Sequence, residues 1–570
     1  MMSLLAHTLI ALAGRAAARR FEAATRDPVG AQYRKLMAIV EKNQDTEYGK
    51  EHGFSSIKSV KEWQKAVPIV TYEDLRERVE RMTRGEKNVL TADAPVMFAR
   101  TSGTTGQSKY IPVTPTCQGR DHADQLRTWL HYARTDHPEM FNGKVLSLVS
   151  PAVEGHTPCG VPYGSTSGVV YRDMPWAVRH SYAAPYPVFE IEDYEAKYYC
   201  LMRIGIANDI SCVATANPSS VIKMCEMADT HADALLRDLA DSTLRPDLDI
   251  PKPIRESLLG QFKPMPEKAR YLDQARERRA GKLLPADYWP SLALIACWKG
   301  GTVGHYVERF NQWFDPDGRE PIPVRDWGYL SSEARGSIPI SDEGCGGVLT
   351  VASNVYDFVE AGELEQYPDR PQAWRTVGVE EVEVGKQYYI FITTTGGLYR
   401  YDINDVVEVV GHYNRTPIIS FCRKGRGMTS ITGEKVSVDQ VIEAFERSGR
   451  DVAIELDHFK AEADVEGSRY VFKMEALKPI PEERLRQMLE SLEKHLSSLN
   501  IEYAAKRKSL RLNPPILMVM KPGWYDSGKQ RLVAQGKRLF QAKTILLSEH
   551  KGEKADEEFI SSTVTLEEER

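Results

Sequence analysis

The chain has no CxxC pair, no surplus of positive charge and no apolar run long enough to cross a bilayer. Its eight cysteines, at 117, 159, 200, 212, 225, 297, 345 and 422, are scattered, which excludes a disulfide scaffold and a structural zinc site and fits free thiols in a reducing, cytoplasmic compartment. His156 and Cys159 form an isolated pair with no further ligands at useful spacing, so they read as a structural histidine and a buried thiol. A net charge of −6 gives no general attraction to nucleic acid or acidic lipid. The first residues, MMSLLAHTLIALAG, precede Arg15, Arg19 and Arg20, whereas a secretory signal puts its charge before the apolar run. An Arg-rich targeting peptide is the alternative to the ordinary first helix expected there. Nucleophile and nucleotide signatures are missing too. Gly164 and Gly168 bracket Thr166 where a nucleophile elbow needs serine, and neither GxxxxGK[ST] nor GxGxxG stands at a strand-to-helix junction.

What is present is ample material for folding. The 570 residues suggest three or four units by length, and 42% hydrophobic with 27% charged residues describes a globular protein with a large core. Its most informative stretch is Ala94 to Thr114, APVMFARTSGTTGQSKYIPVT. An apolar run enters a loop of small hydroxyl residues and glycines, Thr101 to Lys109, and a second strand-like run leaves it. Such a loop turns closely around a guest and aims amides and hydroxyls at phosphate oxygens, with Lys109 as a mobile cation at its far end. A Thr/Gly-rich surface turn is the plainer reading of the same residues.

Alternation of helical and strand patterns elsewhere predicts an α/β protein. Thr71 and Asp74 form a capping box before one helix, and Ser437 with Gln440 forms another. Strands are expected at Lys144 to Val149, Ile210 to Ala214 and Leu292 to Trp298. Another covers VRDWGYLSSEARGSIPI, where Ser331, Ser332 and Glu333 follow an aromatic run. Glu333 can hold Mg²⁺ or orient a nucleotide there, against the alternative of an exposed turn carboxylate. Trp298, Tyr306 and Trp313 either wall an apolar cavity or pack the core. In Leu398 to Val407, LYRYDINDVV, Asp405 suits a ribose diol and Tyr399 or Tyr401 a base, while a hairpin with a surface charge pair explains the same residues. FCRKGRGMTSITG, residues 421 to 433, has the glycines and basic residues of a hinge, and a compact α+β unit is expected beyond it.

TSGTTGQSK at 101 to 109, YLSSE at 329 to 333 and LYRYDINDVV at 398 to 407 together resemble the GH3 family of acyl-acid amido synthetases, bacterial members above all, within the adenylate-forming superfamily. The resemblance covers nearly the whole chain. It implies a large N-terminal domain of several β-sheets and packed helices, 1–420, a hinge at 421–433, and a smaller mobile α+β domain, 434–570. It implies ATP and Mg²⁺ as cofactors, and as partners a small-molecule carboxylic acid and an amine, commonly an amino acid, with no nucleic acid and no membrane. Ser102, Gly103, Thr104, Thr105, Gly106 and Lys109 would form the triphosphate loop. Ser332 and Glu333 would lie beside the adenylate, with Glu333 the metal contact, and Asp405 would bind ribose with Tyr401 in the same segment. Gln541-Ala542-Lys543-Thr544 resembles the family's C-terminal lysine segment, which makes Lys543 the mobile-domain lysine ahead of Lys529. Two departures stand out. Ile545 and Leu546 replace a Pro-Arg pair, and Asp402 and Asn404 occupy places often held by arginine and glycine in plant members.

Adenylation turns a carboxylate, whose leaving group would be oxide, into an acyl donor that releases AMP. Fixed amides, Lys109 and Mg²⁺ would gather the negative charge of the transition state. No serine or cysteine nucleophile is needed, in keeping with the missing triad. A thiol-accepting acyl-CoA ligase and a non-catalytic nucleotide-binding scaffold share these features. The acyl pocket is expected from Gly155 to Gly168 and from Trp298 to Trp313.

Overall fold

The computed structural model describes residues 2–101, 109–368, 370–454, 458–476, 479–525, 527–528, 546–550 and 554–566. The chain divides into two compact units, residues 1–100 with 110–422 and residues 101–109 with 423–570.

Helices open the first unit: α1 Met2–Arg26, α2 Pro28–Asn43 and α3 Tyr72–Thr83. The Thr71–Asp74 capping box forms as expected, with Thr71 N–H donating to Asp74 Oδ2 at 2.7 Å. Strands β1 Met97–Thr101 and β2 Lys109–Val113 flank the hydroxyl-rich loop, and α4 Ala123–Asp136 follows a π-helical turn at Cys117–His122. Next come β3 Lys144–Leu148, β4 Gly155–His156, β5 Pro162–Gly164, α5 Tyr194–Ala207 and β6 Ile210–Thr215. After β7 Leu294–Ala296 and β8 Val324–Arg325, the unit ends with β9 Ser337–Ile338, β10 Gly347–Leu349, β11 Val355–Glu360, β12 Gln387–Thr393, β13 Tyr401–Tyr413 and β14 Thr416–Lys424.

These strands make a β2-β1-β5-β4 sheet, a parallel β3-β6-β7-β8 sheet and a six-stranded β11-β12-β13-β14-β10-β9 sheet. In the first, β5 runs parallel to β1, with Phe98 opposite Tyr163. The parallel sheet is buried, so its strands read as continuous apolar runs. Helix α5 is buried almost all round, and Gly205 is there because a side chain would meet Trp289 at 3.0 Å and Leu146 at 3.1 Å.

Two local expectations are corrected. The stretch from Val324 to Ile340 is not one strand. It is the two-residue β8, a tight turn and the two-residue β9, because glycines at 328 and 336 and the Asp326 carboxylate bend the backbone. Of the three aromatics read either as cavity walls or as packing, Tyr306 is buried in the cluster beneath α5, and Trp298 and Trp313 are partly buried against it. Cys159 is an exposed thiol, not a buried one, since the turn at Gly160 carries it to the surface. Among the described residues no helix is long and apolar enough to cross a membrane.

The second unit contains β15 Met428–Thr429, β16 Val436–Ser437 and α6 Val438–Asp451, the last opened by the expected Ser437–Gln440 capping box. A hairpin of β17 Phe459–Asp464 and β18 Arg469–Glu475 follows, then α7 Glu482–Leu499, α8 Ile501–Lys508, β19 Ile516–Met520, β20 Leu547–Glu549 and β21 Ile560–Thr565. Its five-stranded sheet has the order β20-β17-β18-β19-β21 and packs its own core against α6 and α7.

Candidate active site

A turn and a bulge in the first unit build the site. In the turn, Gly336 N–H donates to Tyr329 O at 2.7 Å and Ser331 N–H to Ala334 O at 2.9 Å. Ser331 Oγ accepts from the amides of Glu333 and Ala334, both at 3.2 Å, so a serine hydroxyl holds the corner. The glycine at 336 is required, because a Cβ there would lie 2.4 Å from the Tyr329 ring. Glu333 is therefore pulled inward to 6% exposure, and its Oε2 is buried with no hydrogen-bond partner. A carboxylate oxygen in that condition is costly unless a ligand or cation completes it.

The bulge lies in β13. Tyr389 pairs with Val406 but Phe391 with Asp402, so β13 carries extra residues between them. Asn404 takes φ 57°, and its N–H donates to Asp402 Oδ1 at 2.8 Å. The kink buries Asp405 to 3% exposure, where the Tyr329 hydroxyl donates to its Oδ2 at 2.8 Å. Tyr329 thus ties the turn to the bulge. Burial, then the negative charge of Asp405, lifts its hydroxyl well above the ordinary tyrosine range, so it stays a proton donor at neutral pH. Tyr401 is buried beside them, and burial followed by the charge of Glu333 raises its hydroxyl in the same direction.

Arg400 braces the bulge. It sits at φ 46°, a strained value for arginine, and its guanidinium donates to Asp357 Oδ2 at 3.0 Å, to Gln64 O and Val67 O at 2.9 Å and to Thr376 Oγ1 at 3.1 Å. At the foot of β2, Tyr110 N–H donates to the Tyr72 hydroxyl at 2.8 Å, fixing where the strand leaves the loop.

Of the residues expected from sequence, the structure brings Glu333, Tyr401 and Asp405 together, with Ser332 in the same turn as Glu333. Lys109 begins β2. Ser102, Gly103, Thr104, Thr105, Gly106, Lys529 and Lys543 lie outside the described residues. Tyr399 is no base-stacking residue: its ring stacks on Tyr48 at 4.9 Å and its hydroxyl donates to Leu90 O at 2.5 Å in the core. The surface charge pair is likewise excluded, since Asp402 and Asp405 are both buried. Sequence reasoning passed over Tyr329 and Arg400 as individual residues. The only signals available were a tyrosine flanked by Gly328 and Gly336 and an arginine just after the Gly396-Gly397 turn.

Among the described residues no three metal-ligating side chains gather. A divalent cation here would therefore take one carboxylate, Glu333, and complete its shell from phosphate and water, the usual mode for Mg²⁺. The unpartnered Oε2 fits that role.

Residues 17–318 match the GH3 family N-terminal domain, 347–424 the GH3 family central domain and 437–552 the GH3 family C-terminal domain. A jasmonoyl–L-amino acid synthetase of Nicotiana attenuata is 24% identical over 544 residues, covering 92% of each chain. An indole-3-acetic acid-amido synthetase of Arabidopsis thaliana, GH3.6, is 22% identical over 545 residues, covering 90% of this chain and 87% of its own. A solved GH3.15 acyl acid amido synthetase in complex with 2,4-DB is similar in fold, with a TM-score of 0.65, 21% identity and 97% of both chains covered. With three successive family domains matched along most of its length, on a fold that places Glu333 and Asp405 side by side through Tyr329, this chain belongs to the GH3 family.

Proposed function

We propose that this chain couples a carboxylic acid to an amine through an acyl-adenylate made from ATP, and that the amine is an amino acid. The observation that carries the reading is the buried Glu333 Oε2 without a partner, next to an Asp405 already oriented by Tyr329. In the first step an oxygen of the acid bonds to the α-phosphorus of ATP as the bond to the bridging oxygen breaks and pyrophosphate leaves. In the second, the amine nitrogen bonds to the acyl carbon, the electron pair departs with AMP and the nitrogen gives up a proton.

Asp405 accepts from the ribose hydroxyls, Tyr401 and Ser332 flank the adenylate, and Glu333 holds the cation. Magnesium, when bound, supplies charge that neutralises the polyphosphate. Loop residues Ser102 to Gly106 and Lys109 grip the phosphates. Residues 434–570 turn about 421–433 and bring Lys543, or failing that Lys529, to the reaction, excluding water from the acyl-adenylate. All eight cysteines are unpaired thiols, which supports a reducing, cytoplasmic setting.

ATP–pyrophosphate exchange against a broad panel of carboxylic acids tests the first step. Acid-dependent exchange that Lys109→Ala weakens severely is expected, and no exchange by folded protein across the panel overturns the reading. AMP release that needs pooled amino acids supports amide formation. Release that needs coenzyme A instead makes the protein a thiol-accepting ligase.

A further inference from the structure

Two loops that leave the parallel sheet are tied together by a carboxylate that the chemistry above does not use. Strands β7 and β8 run parallel, with Ala296 opposite Arg325, and the ladder continues to Cys297 N–H, which donates to Arg325 O at 3.2 Å. Beyond that bond the strands part, and the crevice outside the carboxyl ends of parallel strands is where such sheets receive ligands. Asp326 stands at the parting. Its Oδ2 accepts from Lys299 N–H at 2.5 Å, in the loop after β7, and its Oδ1 from Gly328 N–H at 2.5 Å, in the turn after β8. Its backbone O is taken by the Trp129 indole at 2.7 Å, so helix α4 fixes where the residue sits and leaves the carboxylate to the two loops. At 4% exposure that carboxylate is shielded from bulk water.

Both loops lead to the site. Gly328 takes φ 79°, and a Cβ there would lie 2.5 Å from Ser337 O, so its N–H closes a turn that a larger residue would strain. The next residue is Tyr329, whose hydroxyl orients Asp405. On the other side, Gly301 takes φ 65°, and a Cβ there would lie 2.8 Å from the Phe421 ring, so the loop after β7 rests against that ring. Phe421 in turn stacks on Tyr329, with ring centres 6.4 Å apart and planes 13° from parallel. Tyr329 is thus held through its backbone by the turn and through its ring by Phe421, and one carboxylate fastens both supports.

We propose that Asp326 is a positioning residue for ATP, holding the Gly328 turn and the Lys299–Gly301 loop about Phe421 so that Tyr329 presents Asp405 to the ribose. The inference rests on the adenylation reading and adds to it a residue that acts through Tyr329. An ionised carboxylate accepts with both oxygens, one for each N–H, whereas a carboxamide or a protonated carboxyl turns a donor of its own toward one of them. Burial lifts the Asp326 carboxyl to about 6, against the pull of the Gly328 and Lys299 N–H groups and of the Lys299 charge. Of the titratable groups, Lys299 and Cys297 face it from the loop after β7, while α4 presents the uncharged Trp129. The Lys299 ammonium is held by Val324 O at 3.3 Å and Asp342 O at 2.5 Å, and burial with the Asp326 charge lifts the Cys297 thiol well above its ordinary value.

The test measures the dissociation constant of magnesium-ATP by calorimetry, and pyrophosphate exchange at saturating ATP, for the full chain as wild type, Asp326→Asn, Tyr329→Phe and the double variant. At pH 8 Asp326→Asn is expected to weaken ATP binding roughly tenfold, the scale of one charge-assisted hydrogen bond, with exchange at saturating ATP within about twofold of wild type. Because Asp326 acts through Tyr329, the double variant should bind ATP within about twofold of the weaker single variant instead of multiplying the two losses. The advantage of wild type over Asp326→Asn should shrink to about threefold or less at pH 5, where the carboxyl is protonated, and the titration of ATP itself cancels in that ratio. Asp326→Ser, whose hydroxyl still accepts from an N–H two residues on, serves as the second variant where the carboxamide does not fold, and it too removes the ionising group. ATP affinity equal to wild type in either folded variant, losses that multiply in the double variant, or a wild-type advantage unchanged from pH 8 to pH 5 would each overturn this inference alone. ATP binding that depends on Asp326 without exchange on any acid would overturn adenylation alone, and wild type that binds no ATP would overturn both.

Discussion

Two arginines near the site differ in every respect except type. Arg400 has its donors taken by Asp357, Gln64, Val67 and Thr376, and its strained backbone is held by that network. Arg335 has no described partner at all, although burial pulls it down to about 10. A buried ion pair that is completed locally serves the fold, and here it fixes the bulge that presents Asp405. The Arg335 guanidinium, a short way along, has no such network among the described residues. The same division separates the carboxylates: Asp405 is tied to Tyr329, while Glu333 Oε2 waits for a partner.

The largest effect should come from breaking the closed network. Arg400→Met leaves Asp357, 2% exposed, without its counter-charge, and should lower unfolding stability by about 3–5 kcal/mol. Urea denaturation measures this, with Arg335→Gln run alongside and expected within about 0.5 kcal/mol of wild type. A loss under about 1 kcal/mol for Arg400→Met would remove the contrast between the two residues.

Glu333→Gln reverses the balance between folding and activity. It removes a buried carboxylate oxygen left without a hydrogen bond among the described residues, so stability should hold or rise. Adenylation should fall by roughly a hundredfold or more, the usual scale for losing a group that stabilises transition-state charge. Exchange assays across a magnesium titration would show it, with the required magnesium concentration moving upward. Unchanged exchange at low magnesium would take Glu333 out of the site.

These contrasts show which features the sequence could disclose. Capping boxes at Thr71 and Ser437 were legible because their chemistry is local, three residues apart. The flanks of the hydroxyl loop and the buried parallel strands were legible through apolar runs. The inward turn of Glu333 was not, because it depends on Gly336 admitting the Tyr329 ring and on Tyr329 reaching a residue 76 positions away. Nor was the bulge, whose brace at Arg400 draws on carbonyls from residues 64 and 67. Trp298 and Trp313 stayed open between two readings because aromatics after a glycine turn look the same whether they line a pocket or pack beneath a helix. Arg335 carried no signal, since what distinguishes it is the absence of partners, which only a fold can reveal.

Tyr329→Phe probes the link between turn and bulge. Without the hydroxyl, the Asp405 carboxylate loses a donor in a buried setting, which should cost about 1–3 kcal/mol. If Asp405 holds ribose, the loss should appear as a KM for ATP raised roughly tenfold, with kcat less affected. A drop in stability with an unaltered KM for ATP would make Tyr329 a packing residue only.

The smallest effect concerns His122. Its folded value of about 3 lies below the ordinary histidine value of 6.5. The unfolded chain therefore binds a proton below pH 6.5 that the folded chain refuses until near pH 3. Its contribution is complete above pH 6.5 and is lost as pH falls through that window, with a slope of at most about 1.4 kcal/mol per pH unit. Between pH 7 and 5.5 the wild type should lose about 1 kcal/mol more than His122→Gln, measured as the difference between their urea midpoints. Since Arg335 is the second cause of the depression, Arg335→Gln should let His122 titrate higher, so that the loss on acidification stops at a higher pH while the loss between pH 7 and 5.5 stays as it is. Were the Arg335 charge already cancelled by a carboxylate, that substitution would leave the pH at which the loss stops where it is, and the open guanidinium on which the comparison turns would not exist.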